Sequence, residues 1–278
     1  MKQVISASRR TDIPAWYLDR LIDFIHRGFA EIPNPYSGKP VTIDLNPDHV
    51  HTLVLWSKNF ERFLGKTDFF REYSLYFLFT INDMLELEPS IPPLENRLEQ
   101  IRELSALYGP ERIGWRYDPV VFDENGAVAT IESYIRIGCE VAKAGVRRSI
   151  FSFLDMYGKV IDRNKRLGLK LVDPPERVKM RYTRELAHAA ENIGLTLESC
   201  SENMGPVSGI KPAACIDGRL LSRLAGEPAP LSKDPGQRSD CNCTISHDIG
   251  SYRDMPCPGG CLYCYANPIV KVPERKEA

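Results

Sequence analysis

The chain has 278 residues, enough for one large core or for one core with a small appendage. Lys and Arg number 36 against 37 Asp and Glu, so the net charge is −1 and no global positive field argues for nucleic acid. The longest apolar runs, such as residues 74–80, are strand-sized and far too short to span a bilayer, which excludes a membrane partner. Residues 1–8 enter a strand directly, without a signal-peptide core, so the expected location is the cytoplasm. Eight cysteines in that compartment stay reduced unless they hold a metal.

Residues 2–7 read as a first strand, followed by a polar turn and a helix over about 15–27, where Trp16, Leu18, Leu21, Ile22 and Ile25 have helical spacing. Thr11 or Asp12 is placed to cap it. Residues 32–40 are a proline-rich loop, and 41–45 a short strand. Further strands are expected over 51–59 and 75–81, then a helix over 94–108 between Pro92-Pro93 and Gly109-Pro110. A strand over 112–119 precedes a helix over 130–144, in which Cys139 is expected to be a small buried residue. Residues 148–154 form the next strand, 175–192 a helix and 195–202 a sixth strand.

The regular alternation predicts an α/β fold with a parallel sheet and right-handed crossovers. Six units suit a partial (β/α)6 barrel, with an open doubly wound sheet as the alternative. After residue 202 the pattern breaks. Residues 203–210 read as loop, 215–218 as a tight turn, 225–240 as a linker wrapping the body, and the tail from Val270 as solvent-exposed. The division expected is a barrel domain over 1–224 and a cysteine-rich segment over 225–278.

Polar residues collect where the strands end: Ser8, Arg9, Arg10 and Asp12; Trp56, Lys58 and Asn59; Asn82; Arg116, Tyr117 and Asp118; Asp155; Glu198, Ser201 and Glu202. In α/β folds that edge carries the site. Arg116 and Asp118 are two apart and so share one face of their strand. Arg116, Asp118, Lys58 and Glu198 are the candidate catalytic residues.

Near the C-terminus stands Cys257-Pro-Gly-Gly-Cys261-Leu-Tyr-Cys264, a C-x3-C-x2-C run. Gly259 and Gly260 let the backbone curl, so that three thiolates converge on an iron–sulfur cube and leave one iron open. Zinc, which favours four ligands and C-x2-C knuckles, is the alternative. Cys200, Cys215, Cys241 and Cys243 lie at a strand end or in loops, and four thiols suffice for a second site, either an auxiliary cluster or zinc. His247, between the two cysteine groups, reads as a surface histidine.

The C-x3-C-x2-C run with Tyr263 before its last cysteine resembles the radical S-adenosylmethionine enzymes, and its loop is similar to that of the spore photoproduct lyase branch. The chain as a whole resembles an uncharacterised bacterial family with such a cluster at its C-terminal end. The resemblance implies a [4Fe–4S] cluster on Cys257, Cys261 and Cys264, with Tyr263 beside it. S-adenosylmethionine would sit on the open iron, an electron donor would reduce the cluster, and a 5′-deoxyadenosyl radical would act on an unknown substrate. The second reading is a metal-stapled binding or electron-transfer protein without radical chemistry. The third is a nucleic-acid enzyme using Arg9, Arg10, Arg147 and Arg148, which the neutral charge supports little.

Overall fold

The computed structural model describes residues 1–202, 207 and 209–270. Eight strands form one sheet: β1 (Gln3–Ala7), β2 (Val50–Ser57), β3 (Leu75–Thr80), β4 (Ile113–Val120), β5 (Arg148–Phe153), β6 (Thr196–Ser199), β7 (Ile210–Pro212) and β8 (His247–Asp248). Their order is β7-β6-β5-β4-β3-β2-β1-β8, and every neighbouring pair runs parallel. The strands from β1 to β7 are thus neighbours in sequence order, while β8 returns from the far end of the chain to lie beside β1.

The middle strands read as continuous apolar runs because both of their faces are buried. In β3, Leu75, Phe77 and Phe79 join one core cluster while Tyr76 and Leu78 join another. This is the period of two made visible. The first cluster lies under the helices. Among them are α2 (Leu18–Arg27), which buries Leu18, Leu21, Ile22 and Phe24, and α4 (Leu94–Tyr108), which buries Leu98, Ile101 and Leu104. The others are α5 (Ile131–Lys143) and α7 (Glu176–Ile193), with the shorter α1 (Ile13–Trp16), α3 (Glu61–Leu64) and α6 (Gly158–Leu167). The second cluster lies on the other face, where Val4, Val54, Tyr76, Leu78 and Ile150 meet Cys215, Ile216, Cys241, Cys243 and Leu221 of α8 (Gly218–Ala225).

The parallel α/β sheet agrees with the sequence pattern, but several elements do not. β7 and β8 hold only three and two residues, too few to show a period. α6 and α8 were not expected. Their sequences are rich in basic residues, and few positions are fully buried, among them Val160 and Arg163 in α6 and Gly218 and Leu221 in α8. The strand expected over 41–45 is Pro40–Asp44, paired antiparallel with Phe29–Pro33, whose last two residues fall in the segment expected as loop. Cys139 is exposed, not buried. The buried positions of α5 are Tyr134, Ile137, Gly138 and Val141, and Cys139 lies off that stripe. The loop expected over 203–210 lies mostly outside the described residues, as does the tail beyond residue 270. No helix among the described residues is long and apolar enough to cross a membrane.

Besides its backbone pairing, the β1–β8 seam gathers four donors onto one side chain. Asp248 accepts from Ser6 Oγ at 3.0 Å, Ser8 Oγ at 2.6 Å, Arg9 N at 2.8 Å and Gly250 N at 2.9 Å. A Cβ on Gly250 would stand 2.0 Å from Ser8 Oγ. Gly250→Ala is therefore expected to cost about 1–3 kcal/mol by overpacking, measurable by chemical denaturation. An unchanged midpoint would mean that this seam yields freely.

Candidate functional site

The C-terminal edge of the sheet opens into a cavity of about 590 Å³. Alternate residues of four neighbouring strands reach it: Trp56, Thr80, Arg116 with Asp118, and Ser152. Arg116 and Asp118 form an ion pair, and Ser152 Oγ also donates to Asp118. Arg116 Nη1 is 2.7 Å from Cys215 Sγ. Burial opposes the charge on Arg116, but Asp118 and the thiols of Cys215 and Cys200 outweigh it and raise its pKa further. The guanidinium also lies 5.0 Å from the centre of the Trp56 ring, and that of Arg9 lies 5.3 Å from it. Arg9 Nη1 donates to Ser246 Oγ at 3.1 Å. Among the described residues, Arg9 Nη2 and Trp56 Nε1 are buried with no hydrogen-bond partner.

A second group lies below α1. Asp12 caps this helix, accepting from Ala15 N at 3.1 Å, from Ser57 Oγ at 2.6 Å and from Lys58 N at 2.9 Å. Burial outweighs these donors and pushes the carboxyl up to about 6. Lys58 Nζ donates to Glu88 Oε1 at 2.7 Å, and Tyr263 donates to the same oxygen. Arg97 Nη1 stands 3.8 Å from the other oxygen, with both side chains wholly buried. Burial alone would raise the Glu88 carboxyl, but Lys58 and Arg97 hold it below its ordinary value.

The raised Asp12 pKa has a signed consequence. The unfolded chain releases this proton from an ordinary value of 3.8, whereas the folded chain keeps it until about 6. Within that window the folded state binds more protons, so its stability falls as pH rises. Asp12→Asn is expected to flatten the slope of unfolding free energy between these two values. An unaltered slope in denaturant titrations would contradict this.

The sulfurs fall in two places. Cys215 Sγ lies 3.7 Å from Cys200 Sγ, and Ile216 N donates to Cys243 Sγ at 3.4 Å. Hydrogen bonding from Cys215 lowers the Cys200 thiol to about 7, against the effect of burial. Hydrogen bonds from Cys215 and Cys241 pull Cys243 down, with Arg9 adding to the effect. Cys257, Cys261 and Cys264 lie in the C-terminal loop. Tyr17 Oη holds this loop through Pro256 O at 2.7 Å, Leu87 O through Leu262 N at 2.8 Å and Arg163 through Cys264 O at 2.8 Å. Burial raises Cys257 to about 12 and also raises Cys261 and Cys264.

This corrects the metal reading. Among the described residues, no three His, Cys, Asp or Glu side chains are arranged to hold a metal ion. The iron–sulfur cluster on Cys257, Cys261 and Cys264, the S-adenosylmethionine bound through it and the radical enzyme built on both are therefore not supported. Neither is a second cluster or zinc on Cys200, Cys215, Cys241 and Cys243, nor the metal-stapled alternative. Tyr263 is a hydrogen-bond donor to Glu88 within the Lys58 network.

Of the candidate catalytic residues, Arg116, Asp118 and Lys58 line the cavity together. Glu198 lies apart from them, forked onto Arg148 through Nε at 3.1 Å and Nη2 at 2.7 Å. Arg148 is thereby committed to the sheet, and Arg9 and Arg10 belong to the cavity wall. Tyr117 faces the helices and donates to Thr130 O at 2.8 Å. Asn82 braces the Asp118 backbone, accepting from Asp118 N at 3.1 Å. Glu202 Oε1 accepts from Phe153 N at 2.9 Å, and burial raises its carboxyl to about 7. Sequence reasoning missed Glu88, Arg97 and Asp248, none of which stands at the end of an expected strand. A wider depression of about 930 Å³ lies between the Phe122–Asp123 and Gly126–Ala127 hairpin, α5 and α7. It gathers none of the strand-end residues, so the smaller cavity is the candidate site.

No curated protein matches the chain. Among solved structures it is similar to the 4-hydroxy-tetrahydrodipicolinate synthase from the thermoacidophilic methanotroph Methylacidiphilum fumariolicum SolV. The identity is 12% over 98% of this chain and 68% of that one, with a TM-score of 0.32. A family model described as a domain of unknown function, DUF1848, matches residues 4–266. That match spans nearly the whole sequence and is not to a radical S-adenosylmethionine family: the chain belongs to the DUF1848 family.

Proposed function

We propose that this chain binds a small organic anion in the strand-end cavity, with its carboxylate or phosphate on Arg9 and Arg116 and a planar portion against Trp56. The observation that carries this reading is Arg9. Its guanidinium stacks on Trp56, and its buried Nη2 has no protein acceptor among the described residues. A buried donor without a partner costs about 1–3 kcal/mol, and an anionic oxygen placed there would recover it. Trp56 Nε1 presents a second donor of the same kind. Arginine suits such a ligand because its planar fork matches carboxylate and phosphate geometry. Asp118 and Lys58 would orient the remainder of the molecule.

The finer architecture belongs to the same proposal. The sequential strand order, without the reversal of a doubly wound sheet, supports a partial barrel around this cavity. Thr244 N donates to Ile216 O at 2.9 Å, which links the chain after β7 to the chain before β8 across the open edge. We read residues 1–224 as the barrel body and 225–278 as a second segment, whose described part, up to residue 270, wraps onto that body. Eight free thiols suit a reducing compartment such as the cytoplasm.

The test is a thermal-shift panel of dicarboxylates, sugar phosphates and nucleotides on the purified full chain. At least one class is expected to raise the melting temperature of the wild type and to lose that effect in Arg9→Met. No shift from any class, or an equal shift in the variant, would overturn the reading.

A further inference from the structure

Four sulfurs gather at the cavity wall, and two of them, those of Cys200 and Cys215, are close enough to exchange a bond, with Cys215 also hydrogen-bonded to Cys243. Cys215 is buried and Cys200 half-buried, both facing the cavity, with their Sγ atoms 3.7 Å apart. Cys200 follows β6, and Cys215 follows β7 just before α8. The two strands are parallel neighbours in register, Leu197 against Ile210 and Ser199 against Pro212, so the sheet itself holds the sulfurs together. Arg116 Nη1, 2.7 Å from Cys215 Sγ, fixes a positive charge beside the pair.

We propose that Cys200 and Cys215 form a thiol–disulfide exchange site that accepts oxidising equivalents from a small-molecule disulfide entering the cavity. The Cys200 thiolate attacks one sulfur of the incoming disulfide. A sulfur–sulfur bond forms to Cys200, the incoming bond breaks, and one small thiolate leaves. Cys215 then attacks the Cys200 sulfur of this mixed disulfide. The Cys200–Cys215 bond forms, the second small thiolate departs, and it takes the Cys215 proton. The protein loses two electrons, and the small disulfide is reduced to one thiolate and one thiol. Cys200 is the attacking sulfur because it is the more accessible one and accepts the hydrogen bond from Cys215. Arg116 steadies the negative charge during both steps, as cationic neighbours do at reactive thiols. The site does not depend on the anionic ligand, since neither sulfur needs it in order to react.

The test uses the fully reduced full-length chain, titrated anaerobically with oxidised glutathione, quenched by alkylation and mapped by peptide mass spectrometry. The expected product is an intramolecular Cys200–Cys215 disulfide with Cys139 still alkylatable. Reaction at Cys200 is expected to be at least about ten-fold faster than at the exposed Cys139, as a cation-flanked thiolate should be. In Cys215→Ser the mixed disulfide is expected to persist on Cys200, because the resolving sulfur is gone. Glutathione on Cys139 while Cys200 and Cys215 remain alkylatable would overturn the assignment. So would a disulfide joining Cys241 and Cys243 instead, or a pair that neither oxidises nor alkylates. Should the serine variant fail to fold, the wild-type map decides by itself.

Discussion

Arg148→Met is expected to destabilise the chain by about 3–5 kcal/mol, because it leaves a buried carboxylate without its partner. Arg148 donates through Nε to both Glu198 oxygens at 3.1 Å, and through Nη2 to Oε2 at 2.7 Å. The same guanidinium reaches Tyr76 Oη and Ala214 O, each at 2.7 Å. The Arg148 and Glu198 side chains are only 14% and 15% exposed, so water cannot replace what is lost. Burial opposes charge on Arg148, but Tyr76 and Glu198 raise its pKa nevertheless. At roughly 2–4 °C per kcal/mol for a chain of this order of size, the melting temperature should fall by about 10 °C, read by circular dichroism. Adding Glu198→Leu should recover most of that loss, since a buried ion pair and an apolar pair of similar volume come close to balancing. A single variant within about 0.5 kcal/mol of wild type would mean that the fork is solvated and not structural.

Arg9→Met is expected to weaken binding of the cavity's anion by about 10–150-fold. That is the range implied by losing a hydrogen bond to a charged group, about 1.5–3 kcal/mol. Folding stability should change much less. The side chain donates to Ser246 Oγ and stands beside the Cys243 sulfur and Asp248, both of which keep other donors, and methionine retains packing against Trp56. The separation is informative: a variant that binds normally but melts early would recast Arg9 as a structural residue. Calorimetric titration with the most stabilising anion, alongside a thermal melt, distinguishes the two.

Much of this arrangement was legible from local pattern. Apolar runs such as residues 75–80 announced strands buried on both faces, and the alternation with helical segments announced the parallel sheet. Arg116 and Asp118 share a face because of the period of two, so the cavity wall followed from strand ends. What was not legible depends on long-range pairing. Asp248 meets Ser6, Ser8 and Arg9 across most of the chain, and β8 has only two residues through which to signal it. Glu88 gains its meaning from Arg97 and from Lys58 and Tyr263, and the last two lie far from it in sequence order. The cysteine run misled for a related reason. Spacing shows that three thiols share a loop, but not how the sulfurs are aimed. Aim is set by contacts such as those of Tyr17 with Pro256 and Arg163 with Cys264. Cys139 shows the same limit on a smaller scale, since helix membership did not reveal which face it occupies.

The most direct measurement is a crystal structure of the wild-type chain bound to the anion that stabilises it most. The expected result is an anionic oxygen about 2.7–3.2 Å from Arg9 Nη2, with the ligand lying against Trp56 and beside Arg116. Density for the anion only outside the strand-end cavity, or Arg9 Nη2 satisfied by a protein acceptor while the ligand binds elsewhere, would contradict it.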